Sequence, residues 1–95
     1  MRRPYVYILT NHCHGTLYVG VTSHLIRRIH QHRCSAVPGF TQRYGLKRLV
    51  WFEPCDRMID AIAYEKRLKN WKRSWKIKLI ESKNPCWDDL YERLV

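Results

Sequence analysis

Three groups of side chains in this 95-residue chain have the types and spacing to do chemistry. Within the run from Met58 to Asn70, at about 100° per residue, Met58, Ala61, Ile62 and Leu68 share one apolar arc, and Glu65 falls in the middle of it. A carboxylate aimed at a core is costly unless something compensates it. Two compensations are open. One is structural, an ion pair with Lys69 on the same helical face. The other is functional, a divalent cation or a buried arginine. Arg28 and His32 are also one turn apart, beside Leu25 and Ile29. Taken alone, such a pair reads as cations snorkelling at the rim of a core. Tyr7 and Tyr18 sit on neighbouring strand-like runs, where tyrosines most often serve packing.

Positioning these residues requires a short series of elements. Tyr5-Val6-Tyr7-Ile8-Leu9 and Leu17-Tyr18-Val19-Gly20-Val21 are β-branched and aromatic, and the polar Asn11–Gly15 stretch between them makes an antiparallel hairpin. Alternation puts Tyr5, Tyr7 and Leu9 on one face. Thr22-Ser23 starts a helix over His24–Arg33. A loop runs from Val37-Pro38-Gly39 to Tyr44-Gly45. Arg48–Glu53 is a third strand ended by Pro54. Asp56 caps a helix over Met58–Asn70, a third helix covers Arg73–Ser82, and Asn84-Pro85 breaks it. Trp87, Leu90, Tyr91 and Leu94 have the spacing of a short terminal helix. The expected fold is α+β: a small three-stranded antiparallel sheet flanked by helices, a ββαβα core plus C-terminal helices, as one domain over 1–95 without repeats or linkers.

Charge limits the partners. There are 18 Lys+Arg against 8 Asp+Glu, for a net charge of +10, and eight basic residues precede the first acidic one, Glu53. A soluble small domain needs a net charge of only about 2–8, so nucleic acid is the favoured partner. A membrane surface is disfavoured by the lack of a basic amphipathic helix or lipidation signal. No apolar run is long enough to span a bilayer, and Met1-Arg2-Arg3-Pro4 does not read as a signal peptide. A cytoplasmic protein is expected. Cys13, Cys34, Cys55 and Cys86 then read as free thiols, and His12-Cys13-His14 does not match zinc-finger spacing.

The stretch from Lys66 to Lys83 interleaves Lys66, Arg67, Lys69, Lys72, Arg73, Lys76, Lys78 and Lys83 with Trp71 and Trp75. Cations among aromatics suit phosphate contact, although a solvated helix face has the same composition. The two tryptophans read as anchors of the helix to the core.

Together these residues resemble the GIY-YIG nuclease superfamily. Tyr5-Val6-Tyr7 and Tyr18-Val19-Gly20 are similar to its paired motifs on a hairpin. Arg28, eight residues after Gly20, then His32 and Glu65 follow in the family's order. The closing Lys83-Asn84-Pro85-Cys86-Trp87-Asp88-Asp89-Leu90 looks like the tail of small stand-alone bacterial members. Tyr5 replaces the Gly of the first motif, and Val6 and Val19 replace Ile residues.

The resemblance implies phosphodiester hydrolysis with one divalent ion, Mg²⁺ or Mn²⁺. Tyr7 would be the general base, assisted by Tyr18. Arg28 would hold a non-bridging phosphate oxygen. Glu65 would ligate the metal, and His32 would orient Tyr18 or touch phosphate. A tyrosine's ordinary pKa is about 10, so Arg28 and the metal are expected to depress that of Tyr7. Gly20, Arg27, Lys66, Lys69, Lys72, Arg73, Lys76 and Asn84 are the expected nucleic-acid contacts. DNA is favoured over RNA as substrate. The alternatives are a nuclease-fold module that binds without cutting, or a subunit whose specificity comes from a protein partner.

Overall fold

The computed structural model describes residues 3–36 and 38–95; the Met1-Arg2 part of the N-terminal reading and Val37 of the expected loop lie outside them. The chain is α+β. Strands β1 (Tyr5–Thr10), β2 (Leu17–Thr22) and β3 (Arg48–Pro54) form one antiparallel sheet in the order β2-β1-β3. Helices α1 (Leu25–Arg33) and α2 (Phe40–Tyr44) follow β2; α3 (Met58–Asn70), α4 (Arg73–Lys83) and α5 (Tyr91–Leu94) follow β3.

Alternation along β1 divides the interior into two layers. Val6 and Ile8 face a core with Val19, Trp51, Ala61, Leu68, Ile80 and Trp87. Tyr7 and Leu9 face a second core with Leu25, Ile29, Leu46, Leu49 and Leu90. A central strand buried on both faces can place a polar side chain inside the protein, which is how Tyr7 comes to be 2% exposed.

The β1–β3 register shifts between Ile8 and Leu9, which pair with Trp51 and Leu49, so Val50 is the extra residue of a bulge. A bulge disrupts the ladder and leaves a residue unpaired. The C-terminal segment answers that need. Asn84 Nδ2 donates to the Val50 carbonyl (3.0 Å) and to that of Asp88 (2.9 Å), and Asn84 Oδ1 accepts the Asp88 N–H (3.0 Å). Leu90 N–H donates to the Leu49 carbonyl at 2.7 Å, and Leu49 N–H donates to Asp89 Oδ1 at 3.2 Å.

Several local expectations need correction. The expected loop contains α2, closed by Gly45 in the left-handed conformation (φ 65°), where glycine meets no Cβ penalty. The α3 N-cap is Arg57 without a side-chain cap bond; Asp56 is exposed and faces Arg3 at 3.6 Å. Thr22 Oγ1 accepts the His24 N–H at 3.0 Å just before α1, which starts at Leu25. Ile62 points outward, 39% exposed, and Trp75 is half-exposed, so only Trp71 of the two tryptophans packs on the core. The terminal helix is confined to Tyr91–Leu94. Among the described residues no helix is long and apolar enough to cross a membrane.

Candidate active site

The hairpin register sets Tyr7 directly opposite Gly20, and Leu9 opposite Tyr18. All these side chains point to one face, so the Tyr7 ring lies across the glycine. A Cβ at position 20 would fall 2.5 Å from the Tyr7 hydroxyl and 2.9 Å from the Tyr18 ring. Gly20 is buried. Its part is to leave room for Tyr7, which corrects the expectation that it touches nucleic acid. The Tyr7 and Tyr18 rings stand 6.4 Å apart.

α1 brings His32 over this pair. His32 is 4% exposed, so it is no snorkelling cation at a rim. Its Nε2 lies 3.1 Å from the Tyr7 hydroxyl and its Nδ1 lies 3.1 Å from Thr41 Oγ1. The expectation that His32 orients Tyr18 is corrected: its bond is to Tyr7, and Tyr18 is reached only ring to ring at 6.0 Å. Thr41, buried on α2, is a positioning residue the sequence reading missed. The one local signal was Gly45, a residue type that commonly closes a helix.

Burial, then Tyr18 and Glu65, push the Tyr7 hydroxyl well above the ordinary tyrosine range, although Arg28 draws it down. The expected depression by Arg28 is therefore present, but burial outweighs it. Burial, and after it Arg28, hold the His32 imidazole below its ordinary value. Tyr7 thus keeps its proton at neutral pH, and its hydroxyl is hydrogen-bonded to Nε2 of a neutral His32. With Nδ1 protonated, Tyr7 donates to Nε2 and Nδ1–H donates to Thr41 Oγ1; with Nε2 protonated, both directions reverse. Both ring nitrogens are satisfied in either tautomer, because each hydroxyl can donate or accept.

Arg28 is half-buried one turn before His32, and with Arg27, Thr22, Ser23, His24 and Gln31 it lines a groove of about 250 Å³. Glu65 comes from α3, which packs on the other face of the sheet along β2. Its side chain is 15% exposed and pairs with Lys69 at 3.2 Å. The structural compensation proposed by the helical face is thus realised. Lys69 Nζ also stands 5.9 Å from the centre of the Tyr18 ring, so the ion pair lies beside the tyrosines.

The remaining basic positions divide. Lys66 and Lys72 are exposed, with Lys72 Nζ 5.8 Å from the Trp75 ring. Arg73 is committed elsewhere: it donates to the His14 and Gly15 carbonyls at 2.7 Å each and clamps the hairpin turn. Lys76 reaches the Lys69 carbonyl at 3.4 Å, and burial followed by Arg73 lowers its pKa. Asn84 is 3% exposed with its amide taken up by backbone, so the expected nucleic-acid contact there is withdrawn. The cysteines are free thiols. His14 stacks on Trp87 at 4.8 Å and pairs with Glu81 at 3.3 Å. Among the described residues no group of three or more His, Cys, Asp or Glu is placed to hold a metal. Glu65 therefore belongs to no such group, and a carboxylate site with few protein ligands suits a largely hydrated Mg²⁺ or Mn²⁺ and does not suit zinc, which takes several protein ligands.

One face thus gathers two tyrosines over a glycine with an arginine and a histidine from α1, and a glutamate of a later helix lies beside them. Residues 3–78 match the GIY-YIG catalytic domain, and the chain belongs to that family. Its relatives include a UPF0213 protein of Clostridium perfringens, 36% identical over 81 residues that cover 84% of this chain and 85% of the relative. A UPF0213 protein of Pediococcus pentosaceus is 34% identical over 67 residues, 70% of each chain. The solution NMR structure of a UPF0213 protein from Bacillus halodurans shares the fold with a TM-score of 0.57 at 29% identity, covering 92% of both chains. A GIY-YIG nuclease domain takes nucleic acid as its substrate.

Proposed function

We propose that residues 1–95 form a single endonuclease domain that hydrolyses phosphodiesters, in DNA ahead of RNA, with one Mg²⁺ or Mn²⁺ held at Glu65. The observation that carries the reading is the buried Tyr7–His32 bond beside Arg28. A phenol that is merely packed does not need a neutral imidazole, itself held by Thr41, at 3.1 Å from its hydroxyl.

Arg28 takes a non-bridging phosphate oxygen with its planar fork and offsets charge as the transition state forms. Because Tyr7 is protonated, it can accept a proton from the attacking water only by passing its own to His32 Nε2, a transfer that uses the Nδ1–H tautomer of His32. Tyr7 and His32 thus act as one proton-transfer unit. Thr41 and Gly20 hold that unit in place, and Tyr18 lines the attacking side. Glu65, now paired with Lys69, would hold the cation, which when bound would supply Lewis-acid stabilisation of charge on oxygen. Lys66, Lys69, Lys72 and Arg27 attract the backbone of the strand.

The test is cleavage of matched DNA and RNA panels (single strand, duplex, flap, branch) with Mg²⁺ or Mn²⁺ at several salt concentrations. Cutting that requires the ion, with affinity falling steeply with salt, supports the reading. Binding indifferent to salt contradicts phosphate recognition. A second reading is a module that binds and does not cut, its specificity completed by a protein partner. The Glu65–Lys69 ion pair favours it, because that pair occupies the carboxylate the reaction needs. Cleavage that appears only on adding a second protein would select it.

A further inference from the structure

Tyr18 is the inner end of a row of aromatic rings that leaves the site. Its ring lies 6.5 Å from that of Phe40 at an interplanar angle of 28°, and Phe40 meets Tyr44 at 4.8 Å. Phe40 is 48% and Tyr44 47% exposed. A small domain short of core volume would be expected to bury such rings. Instead α2 turns Thr41 inward, onto His32, and leaves its two aromatics half in water. The helix that fixes the site therefore also presents the rings.

Charge flanks the row at both ends. Lys69 Nζ stands 5.9 Å from the Tyr18 ring centre and the Arg43 guanidinium 5.7 Å from that of Tyr44. No acidic residue occurs in α2, or anywhere in the sequence before Glu53. Exposed rings between cations, continuous with a phosphate-binding site, match what a single strand needs: π-faces for its bases and positive charge for its backbone. Duplex bases, already stacked on one another, have no free face to offer.

We propose that Phe40 and Tyr44 are a base-stacking platform for unpaired nucleotides of the strand held at Arg28, so that the enzyme selects nucleic acid with unpaired bases beside the scissile phosphate. This rests on the nuclease reading above for the presence of nucleic acid, and adds the substrate feature. Stacking of this kind tolerates sequence, since every base has a π-face. The platform therefore discriminates by strand pairing and not by base identity.

The experiment measures binding of a fluorescein-labelled single-stranded DNA and of the same sequence as a blunt duplex, in EDTA so that no cleavage occurs. The wild type is compared with Phe40→Ala/Tyr44→Ala and with Phe40→Trp/Tyr44→Trp. Both rings are solvent-exposed, and thermal melting verifies that the variants fold. The alanine variant should bind single strand about tenfold or more weakly, the scale of losing stacked bases, with duplex affinity changed by less than about twofold. The tryptophan variant should restore single-strand binding. Equal losses on both DNAs, or no loss on single strand, overturn the platform. So does a wild-type dimer in sedimentation that the alanine variant converts to monomer, because a second copy would then be what covers the rings. A protein that binds single strand through the platform but cuts nothing with Mg²⁺ or Mn²⁺ refutes the reaction and leaves the platform standing.

Discussion

The Tyr7 phenol lies across Gly20 so closely that a Cβ on the glycine would fall 2.5 Å from its oxygen. The hairpin register places the two residues face to face, and His32 holds the hydroxyl from the far side at 3.1 Å. Tyr7 therefore has one place to go, and that place depends on the missing side chain. Gly20→Ala should displace the ring and destabilise the fold by about 1–3 kcal/mol, the scale of overpacking a core. Cleavage should fall more than stability accounts for. Urea denaturation beside single-turnover rates, measured under conditions where the variant is folded, checks both.

His32 makes stability depend on pH. Burial and Arg28 hold its folded pKa below the ordinary value of 6.5. As pH falls through 6.5, the unfolded chain takes up a proton that the folded protein refuses, so acid favours unfolding. Stability should rise with pH up to the neutral range and flatten above it. His32→Gln should lose this slope. Urea midpoints from mildly acidic to neutral pH for both proteins give the comparison; equal slopes would contradict it.

Asn84 separates structure from function. Its amide satisfies the Val50 carbonyl exposed by the β3 bulge and ties Asp88 in place. Asn84→Ala leaves those buried groups unsatisfied and should cost about 1–3 kcal/mol. Nucleic-acid affinity of the folded variant should not change. Equilibrium unfolding and fluorescence anisotropy measure the two effects separately.

Lys69 competes with any cation for Glu65. The lysine is 49% exposed, so solvent screens the pair, and Lys69→Met should change stability by less than about 1 kcal/mol. It should tighten Mn²⁺ binding, read from the decrease of the free-ion electron paramagnetic resonance signal during titration. Glu65→Gln should abolish that binding. Unchanged Mn²⁺ affinity in Lys69→Met would mean that the pair does not guard the site.

Much of the frame was legible because its signals are local. Runs of β-branched and aromatic residues located the strands, and period-two alternation put Tyr7 on the face with Leu9. The apolar periodicity gave α3 its full span from Met58 to Asn70, and the apolar arc marked Glu65 as unusual. The depth of His32 was not legible: helical spacing places it beside Leu25 and Ile29 but says nothing of α2 closing over it. Thr41 was missed because a five-residue helix is too short to show periodicity. Asn84 was misassigned because its partner is a backbone carbonyl freed by a bulge, which is a property of strand register. Arg73, likewise, is claimed by two carbonyls of a turn far away in sequence. The charge on the chain pointed to nucleic acid, but which cations are free and which are committed is decided by tertiary contacts.

In the proposed reaction Tyr7, Arg28 and Glu65 act together on a phosphodiester. Its most direct test is the single-turnover cleavage rate of a strand with unpaired bases, with Mn²⁺ present, for the wild type and for Tyr7→Phe, Arg28→Ala and Glu65→Gln. The wild type should cut, and each folded variant should lose about 10²-fold or more, the scale of removing one transition-state contact. Variants that cleave at the wild-type rate, or a folded wild type that cleaves neither DNA nor RNA of any structure, would contradict it.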